Sequence, residues 1–119
     1  MNYQFILSNL TSENIKSCVI CNSNLKYLNS YFCENKNCLA EYYFISRNLH
    51  SLSFKENKYL IIFFPNKENY EIVENSIHIR FPCYIIFPFS QCNNIITKHV
   101  NGQLSNYIDK NINNWKLLL

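Results

Sequence analysis

The sequence predicts an α+β protein that is mostly β. It reads as a cysteine-paired N-terminal segment on a small antiparallel sheet, then a β-meander, then a C-terminal amphipathic helix. Three observations carry that prediction. Four of the six cysteines fall in two close pairs between Cys18 and Cys38. From residue 47 onward, short runs rich in aromatic and β-branched residues alternate with turn-forming Asn, Lys, Glu and Pro. After Gly102 the apolar period changes from that of strands to that of a helix.

Residues 1–10 read as a short strand or arm, because Tyr3, Phe5 and Leu7 alternate. Thr11 followed by Glu13 is a plausible cap for one helical turn leading to the first cysteine pair. Cys18 and Cys21 are separated by Val-Ile, Cys33 and Cys38 by Glu-Asn-Lys-Asn. A tetrahedral Zn²⁺ site wants four soft ligands, and two short loops that each offer two thiolates supply them with little loop-closure entropy. A closed Cys₄ site has no open coordination position, so one zinc here is expected to be structural. The alternative for the four cysteines is two buried or disulfide-linked pairs. A thioredoxin-like redox role for Cys18-Val19-Ile20-Cys21 lacks its βαβ surroundings. Lys16, Lys26 and Lys36 either moderate the charge of a tetrathiolate or are simply solvated.

Asn22, just after the second cysteine, suits a backbone turn with φ > 0. Leu25–Leu28 and Tyr31–Cys33 then read as a hairpin across Asn29-Ser30, and Glu41–Ser46 as a third strand. With Cys18, Cys21, Cys33 and Cys38 as its ligands, this segment resembles the zinc-ribbon family, in which two metal-binding knuckles sit over a small three-stranded sheet. The resemblance covers residues 18–46. It departs from the family at the second knuckle, where Cys-x₄-Cys replaces Cys-x₂-Cys. It implies a structural zinc, and roles ranging from nucleic-acid contact to subunit docking in transcription or replication machines to plain stapling.

The rest of the chain matches no family pattern. Residues 49–54, 59–64, 70–73, 76–81 and 83–87 read as strands of an antiparallel meander, with Pro82 and Pro88 bounding the last. Leu104, Tyr107, Ile108, Ile112, Trp115, Leu118 and Leu119 mark a helix over 103–118, started by the Asn101-Gly102 turn and covering one face of the sheet. The expected division is a zinc-ribbon-like segment at 1–46 and an antiparallel sheet with its helix at 47–119, packed as one unit.

The chain carries 11 Lys/Arg against 8 Asp/Glu, a formal +3. Four thiolates around one Zn²⁺ bring the sum to +3 − 4 + 2 = +1, short of the basic excess typical of nucleic-acid binders. One Gly beside 20 Asn points to AT-rich codons, hence a virus or phage, a parasite or a low-GC bacterium. The start lacks a basic region and a long apolar run, so no signal peptide is expected, and Asn9-Leu10-Thr11 reads as a chance glycosylation match. Apolar runs of about seven residues fall short of the roughly 20 that span a bilayer. These features fit a soluble protein of a reducing, intracellular compartment, where paired cysteines favour metal.

Cys83 and Cys92 read as small core residues, or with His99 as a second metal site; His50, His78 and His99 read as surface or sheet-face residues. No phosphate-binding glycine loop or zinc-protease motif occurs, and Glu68, Glu71 and Glu74 read as solvated strand ends, so no enzyme is expected. Two function classes remain. One is a zinc-stabilised assembly module meeting a protein partner through an aromatic sheet face or the Trp115 helix. The other binds single-stranded nucleic acid, with Tyr42 or Tyr43 stacking on bases and Arg47, Lys55, Lys58 and Arg80 on phosphates.

Overall fold

The computed structural model describes residues 1–66 and 83–115, and within them one six-stranded sheet runs through both halves of the chain. The strands are β1 (Leu25–Tyr27), β2 (Tyr31–Cys33), β3 (Glu41–Ile45), β4 (Asn48–Glu56), β5 (Tyr59–Phe63) and β6 (Tyr84–Ile86), in spatial order β1-β2-β3-β4-β5-β6. Helices α1 (Tyr3–Ser8), α2 (Cys92–Val100) and α3 (Leu104–Trp115) complete it. The mostly-β architecture with a C-terminal helix is as the sequence predicts.

Side chains alternate across the pleat, so the registers define the faces. Tyr42, Leu52 and Phe63 lie in line across β3, β4 and β5, and Phe54, Ile61 and Ile85 across β4, β5 and β6. All six are buried in one core with Tyr3 and Leu7 of α1, Cys92, Ile95 and Ile96 of α2, and Leu104 and Ile108 of α3. Each aliphatic side chain so buried stabilises the fold by about 1.5–3 kcal/mol. The opposite face of β5 buries Leu60 and Ile62, which with Phe64 pack against Tyr84 and Ile86.

Four features depart from the sequence reading. Residues 3–8 form a helix, not a strand: the Asn2 side chain caps it by accepting from the Phe5 amide at 3.0 Å. Tyr3 and Leu7 are four apart, which satisfies a helical face as well as a strand face, and Phe5 between them is exposed. The sheet is an antiparallel meander only from β1 to β5, because β6 pairs with β5 in parallel. The chain from 64 to 83 exceeds the dozen or so residues a parallel crossover needs. Helix α2 is not foreseen at all, although Cys92, Ile95 and Ile96 have helical spacing and form its buried face. Cys83 is exposed, whereas Cys92 is buried, and burial pushes its thiol up to about 12. The expected strands 70–73 and 76–81, with His78, Arg80, Glu68, Glu71 and Glu74, lie outside the described residues, as does the helix beyond 115.

The Asn101-Gly102 turn separates α2 from α3, with Gly102 at φ 72°. Both helices are tied to the end of β4. Glu56 Oε1 lies 2.8 Å from His99 Nδ1, and Glu56 Oε2 accepts from the Ser105 hydroxyl. Asn57 in turn donates to Ser105 Oγ at 3.1 Å.

Candidate metal centre

The first cysteine loop closes on itself. Cys18 N–H donates to Ser23 carbonyl at 2.9 Å, and Asn22 N–H donates to Cys18 carbonyl at 2.8 Å. Turning back this sharply puts Asn22 at φ 63°, as its position after the second cysteine predicts. The wider second loop is built as one helical turn. Cys38 and Leu39 N–H both reach back to Asn35 carbonyl, at 3.0 and 3.1 Å, and the Asn35 side chain accepts from Asn37 N–H at 2.9 Å. Leu39 leaves the turn at φ 54° and is followed by the fully buried Ala40, whose carbonyl accepts from Cys33 N–H. The two extra residues therefore complete a turn rather than widen the site. Hairpin β1–β2 pairs Leu25 with Cys33 and turns through Asn29 at φ 67°, which brings the loops side by side.

The four sulfurs lie within 4.8 Å of one another. Cys18 and Cys38 sulfurs are 3.8 Å apart, those of Cys21 and Cys33 3.3 Å. A tetrahedron with metal–sulfur bonds of about 2.3 Å has sulfur–sulfur edges of about 3.8 Å. The four cysteines could thus hold one metal ion, consistent with a zinc-ribbon-like segment. Cys18, Cys33 and Cys38 are buried, and Cys21 alone of the four is half exposed.

Electrostatics also suits a cation. The Cys38 thiol beside Cys18 draws the Cys18 thiol down to about 4 against the opposing effect of burial. Cys38 is raised in consequence, by its hydrogen bond to Cys18 and then by burial. Burial pushes Cys33 up to about 11. Burial also resists ionisation of Cys21, but the Ser23 hydroxyl and amide outweigh it and lower the thiol. Sulfurs this close share charge badly: one ionises at its neighbours' expense. A divalent cation among them removes that conflict.

Tyr42 is wholly buried on β3, with its hydroxyl 3.2 Å from Cys18 Sγ and accepting from Val19 N–H at 2.9 Å. Its ring cannot stack on a base, which corrects its expected place at a nucleic-acid surface. Tyr43, on the other side of the strand, is exposed. Arg47 is exposed and paired with Glu13 at 3.0 Å. Lys55 is exposed, and Lys58 lies over the Tyr59 ring. Arg47 and Lys58 flank opposite ends of β4, about 30 Å apart at ~3.3 Å per residue. Arg80 lies outside the described residues. Lys16, Lys26 and Lys36 are solvated.

Among the described residues, the cysteine cluster is the one group of metal-ligand type. Cys83, Cys92 and His99 are not brought together; His99 faces Glu56 and the Phe54 ring. His50 is buried edge-on to Tyr43 and Phe64, not on the surface. Tyr42 is the site residue that sequence reasoning misassigned: alternation along β3 separates Tyr42 and Phe44 from Tyr43 and Ile45, but which pair faces inward depends on contacts distant in sequence. No described helix is long and apolar enough to cross a membrane. The chain matches no protein-family model, no curated protein and no solved structure, so the functional reading rests on its own geometry.

Proposed function

We propose that the protein is a small non-enzymatic interaction module, stapled by one structural Zn²⁺ and docking to a protein partner through the open face of its ribbon half. The sulfur cluster carries this reading. Four cysteine sulfurs within 4.8 Å of one another, on residues of which three are buried, favour zinc over hard cations, and a closed Cys₄ site leaves no position for water or substrate. Cys18, Cys21, Cys33 and Cys38 would hold the ion, which supplies cross-linking rather than chemistry.

Surface composition supports the docking half of the proposal. Tyr43 and Ile45, on the face of β3 away from Tyr42, are exposed and form the docking face; the exposed Tyr27 at the β1–β2 tip is in register with Tyr42 and lies on the other face. Aromatic residues of this kind are enriched at protein interfaces. Leu104 and Ile108 of α3 are buried in the protein's own core, so the sheet rather than the C-terminal helix is the better docking element. Single-stranded nucleic acid is the weaker reading, because among the described residues Arg47 and Lys58 stand at opposite ends of β4, Arg47 is engaged by Glu13, and the zinc-loaded charge is +3 − 4 + 2 = +1.

Native mass spectrometry of the purified chain tests the central element. The expected mass is that of one chain plus one zinc, less the two protons whose charge Zn²⁺ replaces. A metal-free chain lighter by the hydrogens of two disulfides would overturn it.

A further inference from the structure

We infer that Tyr42 is a positioning residue of the metal centre, its hydroxyl holding the Cys18 thiolate in ligating geometry and fixing the first knuckle to the sheet. This rests on the metal-site reading above. A phenol oxygen has one proton to give and two lone pairs to receive. Val19 N–H, at 2.9 Å, occupies a lone pair. The proton is left for Cys18 Sγ at 3.2 Å, which as a thiolate can only accept. Tyr42 thus reaches the Cys18 sulfur from outside the knuckle, from the strand that carries it.

The placement has a consequence for the whole site. Four thiolates and a dication carry a formal charge of −4 + 2 = −2, and a sulfur that water reaches can spread its share into solvent. Cys21 is half exposed, but Cys18 is only 1% exposed and has no such outlet. The Tyr42 hydroxyl takes the place of that water. The ring itself cannot drift, because Tyr42 sits in β3 opposite Tyr31 of β2 and Leu52 of β4. Sheet register and sulfur position are therefore linked through one side chain. Partners that orient a metal ligand in this way commonly set affinity by about 10–100-fold.

The test is Tyr42→Phe in the full chain, which removes one oxygen and keeps the ring. Two readouts are compared with wild type: zinc competition against a chromophoric chelator, and the sulfur-to-cobalt charge-transfer band of the Co²⁺-substituted protein. The variant is expected to load one zinc, to hold it about 10–100-fold more weakly, and to shift the cobalt band, since the electron density on one sulfur changes. Unchanged affinity overturns the inference. So does weaker binding with an unchanged band, which would mean that only packing was lost.

If Tyr42→Phe does not fold, wild-type protein loaded with ¹¹³Cd decides by NMR. A slowly exchanging Tyr42 hydroxyl proton coupled to cadmium through the hydrogen bond is expected, and a hydroxyl proton that exchanges freely with water overturns the assignment. Wild type that takes up no zinc removes the metal-site reading itself, and Tyr42's role with it. A wild type and variant that bind zinc with equal affinity remove the role alone.

Discussion

Strands β1 and β2 are three residues each, and Lys26, Tyr27 and Leu28 at their tip face solvent. Around them the buried residues other than Ser30 are Cys18, Cys33, Cys38, Ala40 and Tyr42, so the sulfurs take up the space a hydrophobic core would fill. Strands β4 and β5 are nine and five residues long, and Leu52, Phe54, Ile61 and Phe63 share one buried core with Ile95, Ile96, Leu104 and Ile108, with almost no exposed area. One sheet thus has two kinds of interior: four clustered thiols at one end and buried apolar side chains at the other. The end that lacks apolar area is the end a metal would stabilise most, because so few aliphatic side chains offset little of the entropy of ordering the two cysteine loops.

The largest effect expected from this contrast follows loss of the metal. Structural zinc contributes about 10–16 kcal/mol to the folding of small zinc modules. Cys33→Ser, or chelation of the wild type, should abolish amide-exchange protection in β1, β2 and both cysteine loops while β4 and β5 keep theirs. Hydrogen exchange followed by mass spectrometry reads both halves in one experiment. Protection lost evenly along the chain would break the comparison, since the two ends would then be one cooperative unit. A Cys33→Ser variant that melts and exchanges like wild type would remove the metal from the account of stability altogether.

Phe63→Ala addresses the other end. The ring is fully buried between Phe54 and Phe87, with centroids 6.3 and 6.1 Å away. Its truncation leaves a cavity in the helix-covered core and should cost about 3–5 kcal/mol, read as a lowered midpoint in denaturant. Zinc stoichiometry should stay at one per chain. Loss of zinc with loss of the ring would show that the ligand geometry is maintained by the apolar core, not by the knuckles.

The two halves were also unequally legible in the sequence. The cysteine end declares itself because its information is local: cysteine spacing, Asn22 after a cysteine, and Asn29-Ser30 between two short apolar runs all act within a few residues. The helix-covered end does not. Tyr3, Phe5 and Leu7 satisfy alternation, while the pair Tyr3 and Leu7 equally satisfies helical spacing; only the Asn2 cap and the core above the sheet decide between them. Helix α2 opens with no side-chain cap, and its three buried residues are too few to stand out against the polar ones around them. The parallel pairing of β6 depends on a long crossover that no short-range pattern encodes. At the site itself, the clustering of the four cysteines was readable, but the Tyr42 contact joins residues 24 apart and needs the fold.

The smallest expected effect is also the most discriminating. Asn22 and Asn57 occupy the left-handed region at φ 63° and 55°, one in the first knuckle and the other in the β4–β5 turn. Replacing either by Ala imposes a similar backbone penalty, about 1 kcal/mol, because a Cβ is crowded there and the local polar contacts of Asn are gone. The consequences should separate. Asn22 N–H closes the loop that carries Cys18, and its side chain accepts from Ser17 Oγ at 3.1 Å, so Asn22→Ala should weaken zinc binding in a chelator competition. Asn57 donates to Ser105 at the foot of α3, so Asn57→Ala should lower the midpoint of unfolding and leave zinc affinity as it was. Equal effects of the two variants on zinc would mean that strain in the helix-covered half reaches the metal through the shared sheet. Tyr42, hydrogen-bonded to the knuckle and paired in the sheet with Leu52 of β4, would be the route for it.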